Sequence, residues 1–322
     1  MGPAAEQAAT ILRSERASSS SFEMNDPSPT WRRRLVNRAH RLLRPLGLRI
    51  VRASSAEEYL LKGYQEVTCA DFTFRCDPHH HPFWNQFQNQ LWETETLSIL
   101  RRFLNQRSVY YDIGAWIGPT VLYAAKLSGT VFAFEPDPVA YAFLLENVTN
   151  NELTNVRTFN LAVTATEGAE AIHSFGTRLG DSMSSLLLGA RGSSGWPVTT
   201  VTIDTLLTHL SCTAPDFVKI DIEGGEFELV PALRSHLERW RPVLYLSIHA
   251  PFLLAQERQK KLQELARSLD LYPYAIDRYE EWSRGSRGPF ALETLPSSPF
   301  RDDFGSLLLL PEIPKDTEPV RS

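Results

Sequence analysis

The sequence predicts an α/β fold built on a largely parallel sheet, and three observations carry that expectation. Five apolar runs, at 108–113, 130–135, 156–161, 216–222 and 242–249, read as strands buried on both faces. Helical patterns at 120–127, 139–150 and 226–239 lie between most of them, which implies right-handed crossovers joining parallel strands. The first run ends in a glycine turn and the second in an acidic residue, the punctuation of a ligand crevice at the strand ends. Two late runs, near 272–276 and 304–310, finish the sheet.

Taken along the chain, residues 1–30 are rich in Ala, Ser, Glu and Pro and are expected to form a disordered tail. A basic segment at 31–54 follows, with Arg32, Arg33, Arg34, Arg38, Arg41 and Arg44 beside an apolar stripe of Trp31, Leu35, Ala39 and Leu42 at helical spacing. Such a segment docks on the protein as a surface helix or makes peripheral contact with an anionic membrane through 31–52. A lead-in at 55–107 ends in a helix over 92–104, the core domain spans 108–312, and 313–322 is a tail. The run 174–196 is rich in Gly and Ser without periodicity and reads either as a functional loop, a lid near the acceptor, or as a disordered linker.

Composition narrows the class. A net charge of -5 argues against nucleic acid as a partner. Cys69, Cys76 and Cys212 are odd in number and lack C-x-x-C pairing, so neither a disulfide framework nor a zinc site is expected. The cysteines, and the lack of a signal-like apolar block near the N-terminus, fit a cytoplasmic setting. No apolar run reaches membrane-spanning length. His79-His80-His81 lack ligand spacing and read as loop histidines.

Chemistry concentrates at two corners. The run Val109-Tyr110-Tyr111-Asp112-Ile113 leads into Gly114-Ala115-Trp116-Ile117-Gly118. A glycine turn there lets backbone approach a ligand and opens a helix with free N–H groups. The second run closes on Glu135-Pro136-Asp137-Pro138, and a carboxylate roughly 20 residues after the first strand can take both ribose hydroxyls. A dinucleotide fold would need G-x-G-x-x-G, and Trp116 fills the space its second glycine leaves for a pyrophosphate. Asp112 suits the ammonium of a methionine moiety and would repel a phosphate. The cofactor these residues fit is S-adenosylmethionine (SAM), with Asp112, Gly114, Ala115, Gly118, Glu135, Asp137 and Ala162 as its candidate contacts.

Five motifs in order resemble the FkbM family of SAM-dependent methyltransferases: Asp112 to Gly118, Glu135 to Pro138, Leu145-Glu146-Asn147, Thr202-Ile203-Asp204-Thr205-Leu206, and Lys219-Ile220-Asp221-Ile222-Glu223-Gly224-Gly225-Glu226. The resemblance covers 85–250 and implies the class I, Rossmann-like methyltransferase fold, a seven-stranded sheet whose last strand is antiparallel. It also implies O-methylation of hydroxyls on sugars, glycolipids or small metabolites. The chain departs from the family pattern at Trp116, often Asn in relatives, and at Ser247-Ile248-His249, where other members carry an acidic residue. Trp tolerates positive φ poorly, so this turn is expected to be built differently or to use the indole as a wall of the site.

Methyl transfer to an alcohol calls for a base that takes the hydroxyl proton as the bond forms. Asp221, Glu223 and His249 are the candidates, at the ends of the fourth and fifth core strands. Asp221 is favoured, because it ends a buried strand at the crevice with no evident structural duty. Glu226 can instead stabilise a helix N-terminus, and Glu223 can cap or answer Lys219. Clustered carboxylates also suit Mg²⁺, and none is assigned. The competing functions are a non-catalytic SAM-binding partner or regulator and a protein or RNA methyltransferase. No N-P-P-Y-like site or aromatic-basic surface supports the latter.

Overall fold

The computed structural model describes residues 62–174, 179–180, 182–187 and 195–312. The expected tails, the basic segment at 31–54 and much of the loop at 174–196 lie outside the described residues. The lead-in opens with a hairpin, β1 (Gln65–Cys69) and β2 (Phe72–Cys76), paired antiparallel. Its alternate side chains Val67, Cys69, Phe74 and Cys76 are buried, the period-two signature of a one-sided sheet. Two helices follow, α1 (His81–Gln88) and α2 (Thr94–Phe103). His81 is therefore the first residue of a helix with Pro82 in its first turn, not part of a loop, while His80 is its N-cap.

The core then alternates as expected: β3 (Val109–Ile113), α3 (Pro119–Leu127), β4 (Thr130–Phe134), α4 (Pro138–Asn150) and β5 (Val156–Phe159). A small three-stranded sheet interrupts it, made of β6 (Ala162–Val163), β7 (Gly168–Ile172) and β8 (Trp196–Val201) in the order β6-β8-β7. The helix α5 (Ile203–Thr208) leads to β9 (Phe217–Ile220), α6 (Glu226–Trp240) and β10 (Val243–Ile248). The chain finishes through α7 (Ala255–Leu269), β11 (Tyr274–Ile276), α8 (Tyr279–Ser283) and β12 (Gly305–Leu310).

The main sheet has seven strands in the order β11-β12-β10-β9-β3-β4-β5. Only β12, the last in the chain, runs antiparallel to its neighbours β10 and β11. This is the class I methyltransferase topology that the sequence predicts. Alternate strand residues feed two apolar layers. Tyr111, Ile113, Val218 and Ile220 pack toward α6 and α7, and Tyr110, Val131, Phe217 and Tyr245 pack toward α2 and α3. After β3 the chain builds outward to β5, then returns to place β9 on the other flank of β3. The crevice at that switch point is where an open α/β sheet binds ligand.

Register brings the motifs together there. Ile113 pairs with both Phe134 and Ile220, so Gly114, Glu135 and Asp221 each lie one residue beyond the same layer. Ile220 pairs with Leu246, which sets Ser247 beside Asp221 and His249 two residues further out. No helix among the described residues is long and apolar enough to cross a membrane.

Candidate active site

A cavity of about 560 Å³ opens at these strand ends, within the size range of small-molecule sites. Gly114, Ala115, Glu135 and Ala162 line one part of it, and Asp221, Glu223 and His249 another. Gly114 has φ +89, and a Cβ there would stand 1.8 Å from the Asp221 carbonyl oxygen. The turn after β3 thus rests against the end of β9, and only glycine permits the approach.

Trp116 occupies the left-handed region at φ 48, the conformation that Gly or Asn adopts more readily, despite the indole. That conformation costs an L residue about 1–2 kcal/mol. Neighbouring contacts offset it: the Trp116 amide donates to Glu135 Oε2 at 2.7 Å and the indole Nε1 donates to the Gly180 carbonyl at 3.1 Å. The ring meets Phe83 edge-on with centroids 4.6 Å apart and forms a wall of the cavity.

Glu135 also accepts from the Asp137 amide through Oε1 at 2.8 Å. Burial pushes its carboxyl up to about 8 against the pull of those two amides. Each carboxylate oxygen keeps a lone pair, the requirement for accepting two vicinal hydroxyls. Leu161, Ala162 and Val163 add an apolar floor beside it. A nucleoside with a free ribose fits this donor and acceptor set.

Three candidate cofactor residues do not line the cavity. Gly118 caps α3 at φ 90 under Leu144, shaping the turn from behind. Asp137 is fully buried and caps α4 by accepting from the Val139 and Ala140 amides at 2.8 and 3.2 Å. Its other oxygen accepts from the Gly180 amide at 2.6 Å and the Ser184 hydroxyl at 3.0 Å, tying down the segment 179–187.

Asp112, the expected contact for a methionine ammonium, is the third, and its side chain is turned away from the cavity lining. It is fully buried, and its Oδ2 accepts from Thr120 Oγ1 at 2.5 Å and the Tyr110 hydroxyl at 3.0 Å. The reason is register: Asp112 pairs directly with Lys219 across β3 and β9, so both side chains leave the same face. Lys219 Nζ stands 3.6 Å from Asp112 Oδ1 and 3.0 Å from Asp221 Oδ2. Burial opposes a charged Lys219, yet Asp221, Asp112 and Glu93 raise its pKa above the ordinary lysine range. The counter-charges of this lysine are thus the two aspartates, not Glu223.

The carboxylate–histidine cluster is tight. His249 Nε2 lies 3.4 Å from Glu223 Oε2 and 3.5 Å from Asp221 Oδ1, and Nδ1 lies 3.4 Å from Glu226 Oε1. Burial works to lower the imidazole, but Glu226, Asp221 and Glu223 outweigh it and push it up to about 9. Burial likewise works to raise Asp221, and Lys219 with His249 holds it below the usual carboxylate range. Burial pushes Glu223 up to about 7. Glu226 takes a structural part, accepting from the Gly224 amide at 2.8 Å and the His249 amide at 2.7 Å. It holds the β9–α6 turn against the end of β10. Asp221, Glu223 and His249 each offer a ligand atom within 4.8 Å of one another, so the same cluster has the donors for an oxygen-preferring cation.

Two features escaped the sequence reading. Glu93 and Trp92, taken as the start of a helix, instead precede α2 and line the cavity. Asn147, at the end of the Leu145-Glu146-Asn147 motif, donates to the Ile117 carbonyl at 2.9 Å and to Asp77 Oδ2 at 3.2 Å. It clamps the glycine turn to the lead-in. Spacing carries no signal for a clamp of 70 residues' separation.

The strand order and the crevice at its switch point are those of the class I methyltransferase fold. The family model for the methyltransferase FkbM domain matches residues 112–272, half of the sequence, and the chain belongs to that family, whose methyl donor is SAM. Among solved structures it is similar to a methyltransferase FkbM from Methylobacillus flagellatus KT, at 18% identity and TM-score 0.33 over 45% of this chain. The match spans 34% of that longer chain, about a third of its length. It is also similar to precorrin-6y C5,15-methyltransferase from Geobacter metallireducens GS-15, at 19% identity and TM-score 0.33, covering 57% of this chain and 72% of the other. A third is the tRNA (uracil-54, C5)-methyltransferase of Pyrococcus abyssi, in complex with S-adenosyl-L-homocysteine, at 14% identity and TM-score 0.39, covering 77% and 44%. No curated protein sequence matches.

Proposed function

We propose that this methyltransferase acts on a hydroxyl of a carbohydrate, glycolipid or other small metabolite. The observation that carries the reading is one cavity lined both by Glu135 beside the glycine turn and by the Asp221, Glu223 and His249 cluster. SAM supplies a methyl group on a sulfonium, whose departure leaves a neutral thioether. Glu135 would hold the ribose hydroxyls, and the Gly114 turn would lie along the bound nucleoside. An alcohol is too weak an acid to ionise unaided, so a base must receive its proton during attack. Glu223 suits that task at neutral pH. Asp221, favoured from sequence, is kept anionic and weakly basic by Lys219, and His249 is held protonated. We assign Glu223 as the base, with Asp221 and His249 orienting it and the acceptor.

A net charge of -5 favours a small acceptor over nucleic acid, and three free, buried cysteines suit a cytoplasmic setting. The test is incubation with methyl-labelled SAM and a cell extract separated into glycans, lipids, small molecules, RNA and protein. Label should appear in a glycan, lipid or small-molecule fraction, in an ether that survives mild alkali. Label confined to RNA or protein, or to an alkali-labile ester, would overturn the acceptor class.

A further inference from the structure

Glu93, like Glu170 and Glu228, faces the cavity without a task in methyl transfer, and of the three it is the one that precedes α2 beside Trp92 and shares the electrostatic neighbourhood of Asp221 and Lys219. It precedes α2 in the left-handed region, at φ 40 and ψ 47, and its side chain makes no capping hydrogen bond. An L residue held there carries strain, and strain of this kind gathers where a ligand is met. The carboxylate reaches the cavity instead of the helix end. Its Oε2 accepts from Thr96 Oγ1 at 3.0 Å, and that threonine hydroxyl in turn lies 3.2 Å from the Tyr245 hydroxyl on β10. Thr96 thus fixes one carboxylate oxygen, and Tyr245 backs the threonine from the sheet. No hydrogen bond engages Oε1 among the described residues.

The positive charge in the surroundings is engaged elsewhere. Glu93, Asp112 and Asp221 all act on the same neighbourhood, and the nearby ammonium is that of Lys219. Lys219 already answers Asp221 at 3.0 Å and Asp112 at 3.6 Å, and His249 answers Glu223, Asp221 and Glu226. Glu93 is open to the cavity by surface area, yet the surrounding protein and then the charge of Asp221 push its carboxyl up to about 7, with Lys219 pulling the other way. The expected partner for a ligand ammonium, Asp112, is closed off behind the floor.

We propose that Glu93 binds the α-ammonium of the methyl donor's methionine moiety, a primary-ammonium subsite supplied by the lead-in rather than by the glycine motif. The assignment rests on the cavity being the SAM site. It explains why the carboxylate is fixed at one oxygen and open at the other: a charge-assisted hydrogen bond to an ammonium needs a positioned, unshared acceptor.

The test is calorimetric titration of wild type and Glu93→Gln with S-adenosylhomocysteine, its analogue lacking the α-amino group, and 5′-methylthioadenosine, which lacks the amino-acid portion. Gln keeps the size of the side chain and an oxygen for Thr96. The variant should bind S-adenosylhomocysteine about 10- to 100-fold more weakly, the scale of a lost charge-assisted bond, with methylthioadenosine affinity and melting temperature unchanged. Wild type and variant should bind the desamino analogue alike. Unchanged S-adenosylhomocysteine affinity, or equal weakening for all three compounds, overturns the role of Glu93 alone. A wild type that binds none of the three overturns the cofactor site and this assignment with it.

Discussion

Glu223→Gln lowers methyl-transfer turnover by about 10²- to 10⁴-fold, the contribution of a positioned general base, and leaves S-adenosylhomocysteine affinity unchanged. Glu223 sits at φ 50 in the turn after β9, followed by Gly224 at φ 101. The Ser185 hydroxyl donates to its carbonyl at 2.6 Å, which fixes the turn to the segment 179–187. Its buried Oε2 has no hydrogen bond and faces His249 at 3.4 Å. Burial pushes Glu223 up to about 7, so the carboxylate form, the one that can accept a proton, grows as pH rises through that value. Turnover therefore rises with pH across about 7. It falls again as His249, pushed up to about 9, loses the proton that holds the two carboxylates in place. The variant should lose the acidic limb of that profile. If His249→Gln shows the large loss and Glu223→Gln stays active with its limb intact, the histidine is the base.

Lys219→Met destabilises the fold by about 3–5 kcal/mol, the penalty for breaking a buried ion pair by removing one partner. The variant strands Asp112, which has no solvent exposure, and weakens the hold on Asp221. The pH dependence identifies the cause. With Lys219 gone, burial raises the folded-state Asp112 further above its unfolded value, so the neutral acid is favoured in the folded chain. A raised folded pKa adds stability below the unfolded value and loses it as pH rises through the folded one. The gap between variant and wild type should thus narrow toward acid pH in denaturant titrations. Adding Asp112→Asn should restore part of the loss at neutral pH. A Lys219→Met variant within about 1 kcal/mol of wild type, the range of exposed pairs, would show that the lysine is not a structural counter-charge.

The parts of the fold legible in sequence were those with strong local periodicity. Continuous apolar runs gave β3, β4, β9 and β10 because these strands are covered on both faces. The small sheet was hidden: Gly168–Ile172 is exposed at every position but its last, so no alternation marks it. The strand ends at the crevice were legible, which is why Glu135, Asp221, Glu223 and His249 could be named together. Which face a side chain leaves from was not. Asp112 stands two residues before a ligand turn and yet points into the layer of α2 and α3, a consequence of its pairing with Lys219. The choice of base was equally hidden, since Asp221 and Glu223 differ by their neighbours rather than by type. Glu93 has no motif, and its placement depends on a left-handed backbone and on Thr96, itself backed by Tyr245 on a distant strand.

The measurement that bears most directly on the central claim is calorimetric titration of S-adenosylhomocysteine and NAD into wild type and Glu135→Ala. Wild type should bind S-adenosylhomocysteine with a Kd of about 1 μM, near -8 kcal/mol, and NAD not at all. Glu135→Ala should cost about 1.5–3 kcal/mol of that affinity, the worth of hydrogen bonds to a charged acceptor. Binding of NAD, or unchanged S-adenosylhomocysteine affinity in Glu135→Ala, would contradict a SAM site at the ends of β3 and β4.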